Sequence, residues 1–546
     1  MAVVRERQYF PTRNYPYRSA VAEADAAPQA NLAANTMHAF VLGLDQMPRP
    51  MAAEEVGTML RDPFAGLLLK SGTFPLTLRA LLAALDAMNG EPGGLPEQHS
   101  FLVADGGQIP WSEATAQLAR QFRFAVVRAR AGQVQIMVSA SSVPDSSSQF
   151  LQVIAWDPAN LAYNFYERRG GTWIWAGNSH HALQPATRGQ GPFDSHVNGS
   201  MVMKELRVPW NNWHSMAASI TDATLAPDDP LRTEPIFVNR ESAHFLEQDV
   251  VREGIARWNK ARMAGAKSGD GTLRDVPFFL RQLLESTTVN LVSAAKQSAL
   301  VRDEERLSLP TTFFLNSDAF IDEIGLEPGI APVTVSGAFY RTSLTRYGFA
   351  LTDGQGYRQP GDTYFAFLVP EPAFEDINVL SLLLRERIVS QRFVACLLMI
   401  DFQNPIFSPR RQALMNHVPA VCQLAPSTVG GPVSNLEALF VKSAEGAAAG
   451  DPADGAATAF LQNWRVPDDQ WRSVFARRIE AYFAALAAQG ATESGFDGWV
   501  RLAESRRREF SRRPLAEFRL TLPVTNIPLD APVLEMREDG TVAELH

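Results

Sequence analysis

FAVVRARAGQVQIMVSASSVPDSSSQFLQVIAWDPANLAYNFYERRGGTWIWA, residues 124–176, decides the fold class of this chain. Apolar and polar residues alternate here, the spacing that sends successive side chains to opposite faces of a strand. Turn chemistry divides the stretch at Ala131-Gly132-Gln133, at Asp157-Pro158-Ala159-Asn160 and at Gly170-Gly171. The runs between these turns predict strands over Phe124–Arg130, Val134–Ala140, Gln149–Trp156, Leu161–Arg168 and Thr172–Ala176. Links this short join antiparallel neighbours, so the expected unit is a five-stranded meander. Its last strand puts Trp173 and Trp175 on one face and Ile174 on the other.

Outward from the meander the period changes. Residues 1–30 carry Arg, Pro, Tyr and Ala without periodicity and read as an extended arm. Helical spacing follows over Asn31–Gln46, Ala53–Leu69 and Pro75–Met88, and Gly90–Gly94 stops the last of these. Downstream, Ser242–Met263, Val276–Leu300, Phe374–Arg387 and Arg410–His417 read as helical, with Phe393–Phe402 a mixed apolar segment. Short strands are expected at Leu309–Leu315, Val333–Tyr340, Gly348–Leu351 and Tyr364–Val369. Gly446–Ala457 has linker composition and precedes helices over Asp468–Gln489 and Gly495–Arg512, then a strand-like Glu517–Pro523. The fold class is α+β: an antiparallel β-meander embedded among α-helices, with a helical C-terminal region. Four regions follow: 1–98, arm and helices; 99–240, sheet and a His/Trp-rich segment; 241–445, mixed α/β; and 446–546, linker and C-terminal helices.

With 46 % hydrophobic and 20 % charged residues in 546, the chain is of ordinary globular composition and long enough for more than one core. A net charge of -9 argues against general nucleic-acid binding. The basic run Arg506–Arg513 reads as a solvated helix end complementing the dipole. Cys396 and Cys422 lie in apolar surroundings and read as buried thiols of a reducing compartment, with a disulfide between them open. No secretory h-region opens the sequence and no run is long enough to span a membrane, so cytoplasmic residence is expected.

Chemistry concentrates just beyond the meander. Four of the nine histidines, His180, His181, His196 and His214, fall in residues 173–214 together with Trp173, Trp175, Trp210 and Trp213. Imidazole ligates metals and exchanges protons near neutral pH, and Trp lines apolar pockets. Asp194-Ser195-His196-Val197-Asn198-Gly199, with Met201 and Met203 close by, resembles the haem-attachment segment of c-type cytochromes over residues 189–203. That segment is Cys-x-x-Cys-His, and alignment on His196 puts Pro192 and Ser195 at the two thiol positions. Covalent attachment is thereby excluded. The resemblance implies a non-covalently held haem ligated by His196, with His214, His180, His181 or a Met as second ligand. The same residues permit a mononuclear transition metal on His196, His214 and Asp194, with Asn198 and Trp213 as further cofactor contacts and His180 and His181 as proton-transfer groups.

Other motifs carry less. Glu241-Ser242-Ala243-His244 has half of a di-iron pattern, but no second Glu-x-x-His exists and an acid at a helix start has a structural reason. Gly-x-Ser-x-Gly, Gly-x-Gly-x-x-Gly, Walker A and His-Glu-x-x-His sequences are absent. Asp401 with Arg410 and Arg411 is a minor anion-site candidate, whereas Ser408-Pro409 reads as the cap and first turn of a helix. The expected function is a redox enzyme using haem or one metal ion around residues 180–214 and acting on a small-molecule substrate. The alternatives are a non-catalytic assembly protein with a Trp/His-rich interface and a metal-dependent hydrolase. Neither a nucleic-acid partner nor a membrane span is expected, and the oligomeric state is open.

Overall fold

The computed structural model describes residues 32–105, 111–113, 116, 121–194, 196–201, 222–242, 245–287, 289–292, 301–352, 358–360, 369–425, 433–450, 455–512 and 523–545. The meander forms and is extended on both sides into an eight-stranded sheet. Two short strands, β1 (His38–Ala39) and β2 (Arg49–Pro50), precede helices α1 (Ala53–Met59), α2 (Pro63–Ser71) and α3 (Leu78–Ala87). Then come β3 (Glu97–Asp105), β4 (Gln121–Arg130), β5 (Gln133–Ser141), β6 (Leu151–Asp157), β7 (Ala162–Arg169) and β8 (Thr172–Asn178). The spatial order is β2-β1-β8-β7-β6-β5-β4-β3, antiparallel except where β1 lies parallel to β8.

Register shows why the sheet needs two covers. Val126, Val138, Val153, Tyr166 and Trp175 pair in a row across β4 to β8, and Val127, Met137, Ile154 and Phe165 form the adjacent row. Directly paired residues share a face, so both faces are apolar. The first row meets α2, where the Phe64 ring lies 4.9 Å from Tyr166 and 4.8 Å from Trp173. The second meets Phe193, 5.4 Å from Phe165, and the helix Arg252–Ala266. Asp62 caps α2 by accepting from the Phe64 and Ala65 N–H groups, and its other oxygen accepts from Tyr166 and Asn164 of β7. One buried carboxylate thus ties a helix start to the sheet.

A second core holds the helical remainder, and the two meet along one helix. After the four-residue helix α4 (Ser179–Ala182), the chain reaches α5 (Arg252–Ala266), whose Ile255 and Trp258 belong to the sheet core. Its Met263 and Ala266 belong to the second core, with α6 (Val276–Leu284) and α7 (Phe374–Arg385). The C-terminal helices Trp471–Gly490 and Glu493–Arg512 pack there through Phe475, Ile479, Trp499 and Leu502.

Several expectations change. Residues 32–46 are not a helix: Met37 to Val41, His38 included, are five successive buried residues, and β1 within them is held between two strands, where both faces are covered. The helix expected over 276–300 ends at Leu284, and strand Val289–Val292 follows, where Thr and Val enter the sequence. Residues 333–340 are strand only at Thr334–Ser336, because Ser336 caps a new helix at Ala338. Leu309–Leu315 begins after the strand Arg306–Ser308 and holds the 3-10 turn Thr311–Phe313, and Phe393–Phe402 is the end of helix Gln391–Leu398, capped by Ser390, and the turn after it. The linker-like segment is helical up to Gly450 and again from Gly455. Arg506, Arg507 and Arg508 are buried rather than solvated: Arg506 donates to Phe313 O at 2.6 Å, Arg508 to Ala531 O at 2.8 Å, and Arg507 pairs with Glu504. Carbonyls and a carboxylate give these guanidiniums partners inside the fold. Both cysteines are free and buried, and burial pushes the Cys396 thiol up to about 12. Residues 1–31, 361–368 and 513–522, which carried an arm and parts of two strands, lie outside the described residues, and no described helix is long and apolar enough to cross a membrane.

Candidate functional site

The described histidines among those expected to bind a cofactor are engaged separately. Asn178 at the end of β8 caps α4, accepting from the His180 and His181 N–H groups, and Nδ1 of His181 accepts back from the Asn178 N–H at 3.2 Å. That is a capping box with an imidazole in the usual place of Glu. The His181 ring stands edge-on to Trp175 at 5.4 Å, and His180 edge-on to Trp258 at 5.1 Å. Desolvation lowers both imidazole pKa values; for His180 Asp275 opposes and Arg262 adds to it, and for His181 the charge of His180 adds to it. Nδ1 of His196 donates to Ser200 O at 2.9 Å, and its ring lies 5.3 Å from Phe165. Asp194 closes the 3-10 turn Gly191–Asp194. Trp213, His214 and Ser195 lie outside the described residues. Among the described residues, no three His, Cys, Asp or Glu side chains gather in a metal-binding group. Trp173 and Trp175, which an interface would need at the surface, are buried.

The loop after His196 leads elsewhere. Gly199 at φ +82° passes so close to α4 that a Cβ there would sit 2.5 Å from Ser179 O, so only glycine fits. This close approach delivers Asn198 and Ser200, both fully buried, to the junction of the two cores. Asn198 Nδ2 donates to Thr287 Oγ1 at 3.0 Å and to Glu375 Oε2 at 3.1 Å, while its Oδ1 accepts from Arg281 at 3.2 Å. Trp258 Nε1 donates to the Asn198 carbonyl at 2.7 Å, and Ser200 Oγ donates to Glu375 Oε1 at 2.6 Å. The neighbouring Asp376 accepts at Oδ1 from Gln282 at 3.0 Å and Thr287 at 2.8 Å. Arg262 of α5 donates to Gln282 Oε1 at 2.7 Å. Of the residues singled out by sequence, only Asn198 enters this network.

Asp376 also faces a cleft. The cleft lies between α6, the π-helical turn Asp318–Glu323, α7 and the loop 401–407, with about 550 Å³ of space, mouth included. Gln282, Glu285, Ser286, Asn316, Asp376 and Arg411 supply its polar lining, and Phe320, Phe402 and Ile406 its apolar walls. Single π turns recur at functional sites because they redirect side chains out of helical register. The opposite wall is held in strained backbone: Asp401 and Phe407 have φ of 56° and 55°. Asp401 accepts from Asn404 at 2.7 Å and Ser408 at 2.5 Å, Arg411 donates to four carbonyls between Ile400 and Pro405, and the Phe407 N–H donates to Ser286 at 2.8 Å. Asp401 and Arg411 therefore build this wall instead of clamping an anion, and Arg410 is exposed. Ser408 caps the helix opened by Pro409, as its sequence predicts.

Burial dominates the electrostatics. It pushes Asp376 up to about 8, with the charge of Glu375 adding to the effect and hydrogen bonds from Gln282 and Thr287 opposing it. Glu375 is raised too, chiefly by burial, against donors Ser200 and Asn198 and the charges of Arg262 and Arg281. Desolvation pulls Arg262 down to about 10 and Arg281 to about 9, so both stay charged at neutral pH. A carboxyl poised between its two protonation states in a cleft is able to donate or accept a proton there. Sequence offered one faint sign of it: acids at 375 and 376 sit in a helical first turn, where the dipole alone explains them.

Comparison of the chain with protein-family models, with curated proteins and with solved structures finds no match.

Proposed function

We propose that the chain binds a small polar molecule in the cleft between α6 and α7, with Asp376 as the proton-exchanging group. The observation that carries this reading is a buried carboxyl, raised to about 8, lining a cleft that also has a π turn on one wall and strained backbone on the other. Proton transfer to or from the bound molecule is the chemistry such a group supports. A thermal-shift screen of small amines, carboxylic acids and polyols tests it. At least one class should stabilise the protein saturably, and Asp376→Asn should abolish that response. An unchanged response in the variant, or none from any class, rejects the cleft as the site.

A second reading keeps the cofactor. His180 and His181 are held toward the neutral imidazole, the form that ligates metals, and the likeness of residues 189–203 to a haem-attachment segment supports a non-covalent haem or single metal ion on His196. An absorption spectrum and elemental analysis of the purified protein decide it: a colourless, metal-free preparation rules it out. Cytoplasmic residence accompanies either reading, in keeping with two free, buried thiols.

A further inference from the structure

Charge around Asp376 indicates what the cleft takes. Two guanidiniums act on it, Arg262 from α5 and Arg281 from α6, and a third, Arg188, acts on Arg281 and pairs with Glu285 at 2.9 Å. Three carboxylates oppose them: Glu375 on the same helix, Glu285 at the cleft rim and Asp275 just before α6. These six charges balance without Asp376. The fourth guanidinium at the cleft, Arg411, donates to backbone carbonyls and has its charge opposed by Asp401. An ionised Asp376 is thus a surplus negative charge, 8 % exposed, in a low-dielectric site. Both of its donors bind Oδ1, so among the described residues Oδ2 has no hydrogen-bond partner and is left to the cleft.

We propose that the ligand of this cleft is a small primary ammonium compound, whose –NH3+ group binds Asp376 Oδ2 and whose hydrocarbon part lies between Phe320 and Phe402. This rests on the cleft being the binding site. An entering ammonium replaces the proton on Asp376, which passes to solvent, and the balance of charge is kept. A carboxylate ligand would instead add an uncompensated negative charge beside Glu375 and Glu285.

The test uses three probes of one shape: n-butylammonium chloride, sodium butyrate and 1-butanol, titrated into the full chain by calorimetry. Butylammonium should bind saturably, and its affinity should fall about tenfold per pH unit below the pKa of Asp376, near 8. At pH 7 in a weakly buffered solution, binding should release a proton. Asp376→Asn, isosteric with the protonated side chain and therefore expected to fold, should lose both the binding and the proton release. Preferred binding of butyrate or butanol that Asp376→Asn abolishes overturns the ammonium assignment while leaving the cleft as a site, and butylammonium binding that survives Asp376→Asn overturns the assignment and the cleft together. Failure of all three probes overturns the assignment and the cleft together.

Discussion

Trp173–Met201 holds three described histidines and two tryptophans, and the hydrogen bonds of its imidazoles are local. His181 bonds Asn178, three residues away, and His196 bonds Ser200, four away. The first turn of α7 holds two ordinary acids, and their partners come from distant segments. Ser200 and Asn198 lie 175 and 177 residues from Glu375, while Gln282 and Thr287 lie 94 and 89 from Asp376. Imidazole and indole in the first region serve a cap, a turn and a sheet face. Carboxyl groups in the second are desolvated together at the meeting of two cores, and desolvation is what moves a pKa. Conspicuous residue types therefore mark structure here, and inconspicuous ones mark the candidate chemistry.

Breaking the second region should cost most. Glu375→Ala removes the acceptor of Ser200 and Asn198 and leaves Arg262 and Arg281 buried without it, an expected loss of about 3–5 kcal/mol in urea unfolding. A loss below about 1 kcal/mol would mean that the network carries no buried charge. Next is pH. The Asp376 carboxyl has a higher pKa folded than its ordinary 3.8, so folding favours its protonated form. Its contribution to stability is full below about pH 4 and declines until the pH passes about 8. Unfolding midpoints followed over that range should fall more steeply for wild type than for Asp376→Asn; parallel curves would refute the assignment.

The first region should yield smaller changes. Asn178→Ala removes the cap of α4 and should cost about 1 kcal/mol. His196→Ala should cost about 0.5–1.5 kcal/mol through one lost hydrogen bond. If His196→Ala also strips a chromophore or metal from the purified protein, the contrast between the regions fails and the cofactor reading gains.

The meander was legible because its signal is local: alternation and Gly or Pro turns specify strands irrespective of the rest of the chain. Caps at Ser408 and the breaks at Gly132 and Gly170 were readable for the same reason. Residues 37–41 misled because a mostly apolar run satisfies a buried strand and a buried helix alike, and only pairing with β8 selects the strand. Arg506–Arg508 misled because charge in sequence predicts exposure, whereas carbonyls of 313 and 528–532 supply partners from far along the chain. Asn198 entered the candidate site for a reason unrelated to haem: Gly199 lets its loop approach Ser179 closely enough to reach Glu375.

Sequence by itself determined the α+β class, the meander with both tryptophans on one face, and the position of the histidine-rich segment behind it. These follow from periodicity and turn chemistry, which act over a few residues. Tertiary structure alone decided that His181 and His196 are bonded within that segment and that Glu375 and Asp376 meet Arg262, Arg281 and Asn198 in a desolvated junction beside a cleft. Burial and long-range pairing set those charges, and neither is a property of any short stretch of chain.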